Sequence, residues 1–225
     1  MEFMLDTANL DNIKAGLDIY PIIGVTTNPS ILKKEGNVDF FGHLSQIRAL
    51  IGPERSLHVQ VVSQDTKHII EEAEKIRYRL GENTFVKVPV TEDGLRAIKY
   101  LSSEKFHITA TVVYTTIQGM MAMLAGARYI ACYYNRMLNC DIDASRVIHE
   151  LSNLLWASHG DCQIMAASFK NINEITTAFS NGASCCTVPF DLLKTGLSNP
   201  SISNAVQDFD ADWTAIHGPK KIFEL

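Results

Sequence analysis

The 225-residue sequence has no surplus of positive charge: 20 Lys and Arg stand against 25 Asp and Glu, a formal net charge of −5. No nucleic-acid partner is therefore expected, because phosphate backbones are met by basic stripes. The densest basic run, Lys75-Ile76-Arg77-Tyr78-Arg79, follows Glu71, Glu72 and Glu74. It reads as a solvated helix face with i,i+4 pairs such as Glu71/Lys75, while Lys33-Lys34 and Lys220-Lys221 are isolated pairs. No window approaches 18 apolar residues, so no membrane-spanning helix is expected. The opening Met1-Glu2-Phe3-Met4-Leu5-Asp6 lacks the basic and apolar regions of a signal peptide. Cysteine is sparse and badly spaced for cross-linking. Cys132, Cys140, Cys162, Cys185 and Cys186 are odd in number and contain no CxxC, which fits neither a disulfide framework nor a zinc site. A reducing cytoplasm is the expected setting.

Several catalytic signatures are missing as well. There is no HExxH, GxxxxGK[ST], GxGxxG or GxSxG. His43, His58, His68, His107, His149, His159 and His217 are scattered and read as surface or packing residues. No metal and no nucleotide cofactor is expected.

What remains is an ordinary globular composition, 46% hydrophobic and 20% charged, at a length that suits one domain. Short β-branched runs alternate with helical periods along the whole chain. The runs are Phe3–Leu5, Gly24–Thr27, Leu57–Val62, Thr84–Val90, Ile108–Val113, Tyr129–Tyr134, Gln163–Ala167 and Cys185–Val188. Helical stretches fall at Leu10–Ile19, Phe40–Ile51, Thr66–Leu80, Gly94–Leu101, Thr116–Ala125, Ala144–Ser158 and Ile172–Ser180. Asn9, Asp65 and Asn171 stand where they can cap helix starts, and Gly81, Gly126, Gly160 and Gly182 where helices should stop. Eight strands alternating with helices, with no linker, predict a single-domain (β/α)8 barrel, a TIM barrel, over residues 1–225. A doubly wound sheet, which needs only five or six strands, is the alternative. The tail, about 200–217, reads as a C-terminal helix with Phe209 and Trp213 on one side; it is either the eighth outer helix or an extension beyond it.

In such a barrel, chemistry sits at the C-terminal strand ends. Those ends carry Asp6-Thr7, Thr26-Thr27-Asn28-Pro29-Ser30, Gln60, Lys87, Thr111, Tyr133 followed by Asn135-Arg136, Ser168-Phe169-Lys170 and Pro189-Phe190-Asp191. Any one of these can be a capped turn; the set together is a candidate site. Lys87 is the most informative. It lies within Phe85-Val86-Lys87-Val88-Pro89-Val90, a run apolar enough to be buried on both faces. Burial disfavours the ammonium form, and a neutral amine can attack a carbonyl to form a Schiff base. The other reading is an edge lysine that keeps its head in water.

Gly24-Val25-Thr26-Thr27-Asn28-Pro29-Ser30-Ile31 and Val86-Lys87-Val88-Pro89-Val90-Thr91-Glu92-Asp93-Gly94-Leu95 resemble the signature segments of the transaldolase family. Leu5-Asp6-Thr7-Ala8 and Ala166-Ala167-Ser168-Phe169-Lys170 match too, and the resemblance spans Asp6 to Trp213. The short length is similar to the compact subfamily holding small transaldolases and fructose-6-phosphate aldolases. The resemblance implies that Lys87 forms a Schiff base with a ketose and holds a dihydroxyacetone unit as an enamine. An aldolase releases that unit; a transaldolase passes it between sugar phosphates, as in the pentose phosphate pathway. Gln60 and Tyr133 resemble the aldolase, since small transaldolases carry Glu and Phe there. By the same resemblance Asp6 handles protons, and Gln60, Thr111 and Tyr133 hold a water near the Schiff base. Asn28 and Thr26 contact the sugar, and Arg136, Ser168 and Lys170 bind phosphate. The loop Met137–Asp143 and Lys170 depart from the family pattern, where an Asp- and Gly-containing loop and an Arg are usual. A ring-like homo-oligomer such as a decamer, with the C-terminal helix laid on a neighbour, is implied. A catalytically idle sugar-phosphate-binding barrel is the reading from another class.

Overall fold

A computed structural model describes residues 1–225. Eight parallel strands close into a barrel in sequence order. They are β1 (Glu2–Asp6), β2 (Ile22–Thr26), β3 (Ser56–Gln60), β4 (Thr84–Pro89), β5 (Ile108–Val113), β6 (Tyr129–Tyr133), β7 (Gln163–Ala167) and β8 (Cys185–Val188). The outer helices are α1 (Leu10–Ile19), α3 (Phe40–Ile51), α4 (Thr66–Leu80), α5 (Glu92–Ser103), α6 (Thr116–Leu124), α8 (Ala144–Ser158) and α9 (Ile172–Ser180). Each begins where a short polar side chain accepts a first-turn amide. Asn9, Asp39, Asp65, Thr91, Thr115, Asp143 and Asn171 all bond the backbone N–H three residues on. The barrel and not the doubly wound sheet is the fold.

Three short helices are not separately visible in the sequence: α2 (Pro29–Leu32), α7 (Tyr134–Leu138) and α10 (Phe190–Gly196). With four to seven residues they span too few turns to show a period. α7 follows the end of β6 directly and α2 follows β2 after two residues, and both shape the rim there. α10 packs on α9 and α1, so it is the eighth outer element. The last helix, α11 (Pro200–His217), is thereby an extension beyond the barrel, and none of its residues is buried. No helix is long and apolar enough to cross a membrane.

Two apolar clusters follow from strand alternation. One lies between sheet and helices and gathers 45 buried residues, Leu5, Val25, Val86 and Val88 among them. The other fills the barrel with Met4, Tyr129, Ala131, Met165 and Cys185, packed with Phe85. Gly94 marks how closely α5 meets β4: a Cβ there would collide with the carbonyl of Pro89. Some local expectations differ in detail. Glu71 pairs with Lys67 at 3.8 Å and not with Lys75, whose ammonium sits over the Tyr78 ring. His159, in the left-handed region, caps α8 one residue before Gly160.

Candidate active site

The apolar pattern of β4 dictates where Lys87 points. Val86 and Val88 face the helices and are fully buried, so Lys87 between them faces the barrel axis. It is 4% exposed, and its Nζ donates to the carbonyl of Thr27 at 2.8 Å. Burial lowers its pKa from 10.5 to about 8, with the charge of Asp6 opposing the shift. An edge lysine with its head in water is therefore not what the fold contains.

Asp6, at the end of β1, is held from behind. Thr26 Oγ1 donates to its Oδ1 at 2.7 Å and lies 2.6 Å from Thr187 Oγ1. One hydroxyl carries one proton, so Thr187 donates to Thr26 in turn. Burial raises the Asp6 pKa, against the opposing influence of Lys87, the Thr26 hydrogen bond, Lys34 and Arg136. Thr26 itself is fully buried and does not line the cavity described below. Across the barrel, Thr111 Oγ1 and the Tyr133 hydroxyl are 2.9 Å apart. Burial raises the Tyr133 pKa, and the Thr111 hydrogen bond opposes it. Tyr134 points the other way, packing on Phe169 with its hydroxyl 2.8 Å from Ser145 Oγ. Gln60 has a buried Oε1 with no partner, and it lines grooves at the end of β3 beside Val62 and Glu72, outside the main cavity.

The main cavity, about 220 Å³, opens at the C-terminal strand ends over Lys87, Asp6 and Tyr133. Asn28, Arg136, Ser168 and Lys170 line it, as does Ser30. Asn28 caps α2 through Oδ1, which accepts from Ile31 N at 3.0 Å. Arg136, on α7, stacks its guanidinium 4.8 Å from the Tyr133 ring centroid. Ser168 adopts a left-handed conformation, φ 64°, at the turn out of β7. The backbone N–H of Lys170 donates to Glu174 at 2.7 Å, which fixes that turn on α9. The sequence reading missed Lys34, which lines the cavity from the 3-10 turn after α2. As half of an isolated lysine pair it gave no signal; only the turn of α2 brings it to the rim. Lys34, Lys87, Arg136 and Lys170 face Asp6 alone, so a chain of net charge −5 concentrates positive charge at this cavity. Such a cavity suits a small anion.

A family model described as transaldolase/fructose-6-phosphate aldolase matches residues 3–220. The chain belongs to this family. Within it, a Streptococcus pneumoniae (strain ATCC 700669 / Spain 23F-1) protein named probable fructose-6-phosphate aldolase is 48% identical over 222 residues, covering 99% of this chain and 100% of that one. The transaldolase/fructose-6-phosphate aldolase match takes in every cavity residue named above, Lys34 included.

Proposed function

We propose that the protein is a class I aldolase that reversibly cleaves fructose 6-phosphate into dihydroxyacetone and glyceraldehyde 3-phosphate. The observation that carries this reading is Lys87: a lysine buried at the floor of a cationic cavity, with its pKa lowered to about 8. About a tenth of such lysines are neutral amines at pH 7. The Nζ lone pair adds to the ketose C2, and water leaves to form the iminium. The C4 hydroxyl proton passes to the Asp6 carboxylate as the C3–C4 bond breaks. The bonding electrons move toward the iminium nitrogen, glyceraldehyde 3-phosphate departs, and an enamine remains. C3 then takes a proton, water adds at C2, and the C–N bond breaks to release dihydroxyacetone and the amine. Thr111 and Tyr133 hold the water for that last step, with Gln60 as the third holder. Thr26 acts on Asp6 and not on the sugar. Asn28 meets the sugar hydroxyls, while Arg136, Ser168 and Lys170 take the phosphate, the guanidinium offering a paired donor set and Lys170 a point charge.

A second reading, transfer of the dihydroxyacetone unit to another sugar phosphate, is favoured by one observation. Of the three proposed water holders, only Tyr133 lines the cavity over Lys87; Gln60 and the fully buried Thr111 do not. One experiment decides between the readings. Borohydride added with dihydroxyacetone should leave a stable mass adduct on Lys87. Fructose 6-phosphate cleavage should then proceed without an acceptor. No adduct would return the protein to an idle sugar-phosphate-binding barrel. Cleavage only when erythrose 4-phosphate is present would make it a transaldolase.

The proposal extends to assembly. Ile202, Val206, Phe209 and Ile216 are exposed along α11, Phe209 by 72%. Their spacing makes one apolar stripe, which supports a helix laid on a second copy of the chain. Sedimentation as a monomer at micromolar concentration would remove this part of the reading.

A further inference from the structure

A strained residue lies beside the proposed water site. Val112 has φ 62°. A β-branched residue in the left-handed region is an outlier that persists only where its surroundings impose it. The imposing feature is a bulge. Ala110 pairs with Ile130 and Val113 with Cys132, so Thr111 and Val112 together oppose Ala131 alone. On the other side the register is regular, with Pro89 opposite Thr111. The extra residue turns the carbonyl of Val112 out of the ladder, and a single side chain collects it.

That side chain is Gln118, in the first turn of α6. Its Oε1 accepts from the backbone N–H groups of Tyr114 at 3.0 Å and Thr115 at 3.2 Å, which completes the cap of the helix. Capping needs no more than that. Yet its Nε2 also donates to the carbonyls of Val112 and Val90, both at 3.3 Å. Val90 follows the strand that carries Lys87, and its own N–H donates to the carbonyl of Thr111 at 3.0 Å. One amide therefore ties the end of the lysine strand to the bulge that sets the Thr111 hydroxyl. Tyr114, the next backbone group it holds, packs edge-on against Tyr133 at 5.8 Å.

We infer that Gln118 is a positioning residue: by pinning the Val112 bulge to Val90, it fixes the Thr111 hydroxyl against Tyr133. A one-residue slip in a strand turns each side chain to the opposite face, so an unpinned bulge would carry Thr111 away from the phenol. The inference rests on the proposed role of that pair in releasing the dihydroxyacetone unit.

Gln118→Glu is the informative variant. It keeps the acceptor that caps α6 and lacks both donors. Borohydride trapping of dihydroxyacetone on Lys87 should match the unaltered protein. Release of dihydroxyacetone from fructose 6-phosphate should fall about 10- to 100-fold with KM changed less than about threefold, as expected when a reacting group is slightly misplaced. In a Thr111→Val background the same substitution should change release less than about twofold, because both act through one hydroxyl. Unchanged release, or a loss that repeats in full in the Thr111→Val background, overturns the inference. So does failure of both Gln118→Glu and Gln118→Met to fold, since the side chain would then serve the helix alone. Absence of a trapped adduct in the unaltered protein sinks the Schiff-base reading instead, and the two failures are told apart by that first measurement.

Discussion

The same strands line the two layers of the barrel interior, and the layers treat polar groups in opposite ways. Two residues below Asp6, Gln60, Lys87 and Thr187 stand Met4, His58, Phe85 and Cys185. In the lower layer, the ionisable His58 is closed on its neighbours. His58 is fully buried, its Nδ1 lies 2.8 Å from Thr109 Oγ1 and its Nε2 3.0 Å from Ser56 Oγ, and its ring stacks on Phe85 at 4.6 Å. In the upper layer, Lys87 has a single protein partner and Gln60 Oε1 has none. Each layer buries one basic group and lowers its basicity: like Lys87, His58 is held below its usual pKa, in its case first by burial and then by Lys87 and Arg48. The difference is access. The His58 nitrogens are spent on neighbours, while the Lys87 amine opens onto a cavity. A shifted pKa alone therefore does not mark the active group; a shifted pKa beside unspent hydrogen-bonding capacity does.

The largest break in this comparison should come from Lys87→Met. The stem volume is kept and the amine is lost, so the fold should hold while turnover falls by at least about 10,000-fold. Retained turnover, or borohydride labelling at Lys170, would show the nucleophile to be misassigned. Stability against pH adds a second check. Between pH 8 and 10.5 the unfolded lysine binds a proton that the folded one, with its pKa near 8, does not. Stability from this group therefore rises with pH across that window and is lost as pH falls back through 8. The variant lacks the group, so the unaltered protein should gain about 3 kcal/mol relative to Lys87→Met between pH 8 and 10.5. Parallel denaturation curves at both pH values would mean the amine is not desolvated.

Next in size is Tyr133→Phe. The ring and its stacking against Arg136 stay; the hydroxyl 2.9 Å from Thr111 goes. Positioned proton transfer is worth about 100- to 10,000-fold, so release of dihydroxyacetone should slow on that scale. Transfer to erythrose 4-phosphate should fall less. The ratio of released to transferred product reads this directly, and an unchanged ratio would remove the main support for aldolase over transaldolase.

These effects were unequally legible in the sequence. Alternation of β-branched runs and capped helices showed all eight strands, and a lysine inside an apolar run showed Lys87, because both depend on neighbours in the chain. Lys34 and the Val112 bulge depend on features without a sequence period, a one-turn helix and a register shift. The first needs the turn of α2 to reach the rim, the second a register shift between β5 and β6. Nothing local distinguishes Gln118 from any other capping glutamine. The tail was ambiguous for a related reason: its apolar stripe fits its own barrel or a neighbour, and only the placement of α10 on α9 and α1 shows α11 to be free of the barrel.

The smallest effect on chemistry should come from the lower layer, and it sharpens the comparison most. His58→Leu puts an apolar side chain of similar bulk under the site, strips the Thr109 hydroxyl of its partner and leaves Ser56 Oγ with only Met4 Sδ at 3.9 Å. Each buried group left unpaired costs about 1–3 kcal/mol, partly offset by the added apolar surface, so a net loss of about 2 kcal/mol is expected. At this chain length that is a fall in Tm of roughly 4–8 °C. Turnover per folded molecule should stay within about twofold of the unaltered protein, because no His58 atom lines the cavity. The loss should also depend on pH with a fixed sign. His58 is neutral in the fold and binds a proton when unfolded below pH 6.5, so its contribution is present above 6.5 and fades as pH falls. The stability advantage over His58→Leu should accordingly shrink from pH 7.5 to pH 5. A variant with unaltered stability but tenfold lower turnover would place the lower layer in the chemistry, and the division between the two layers would fail.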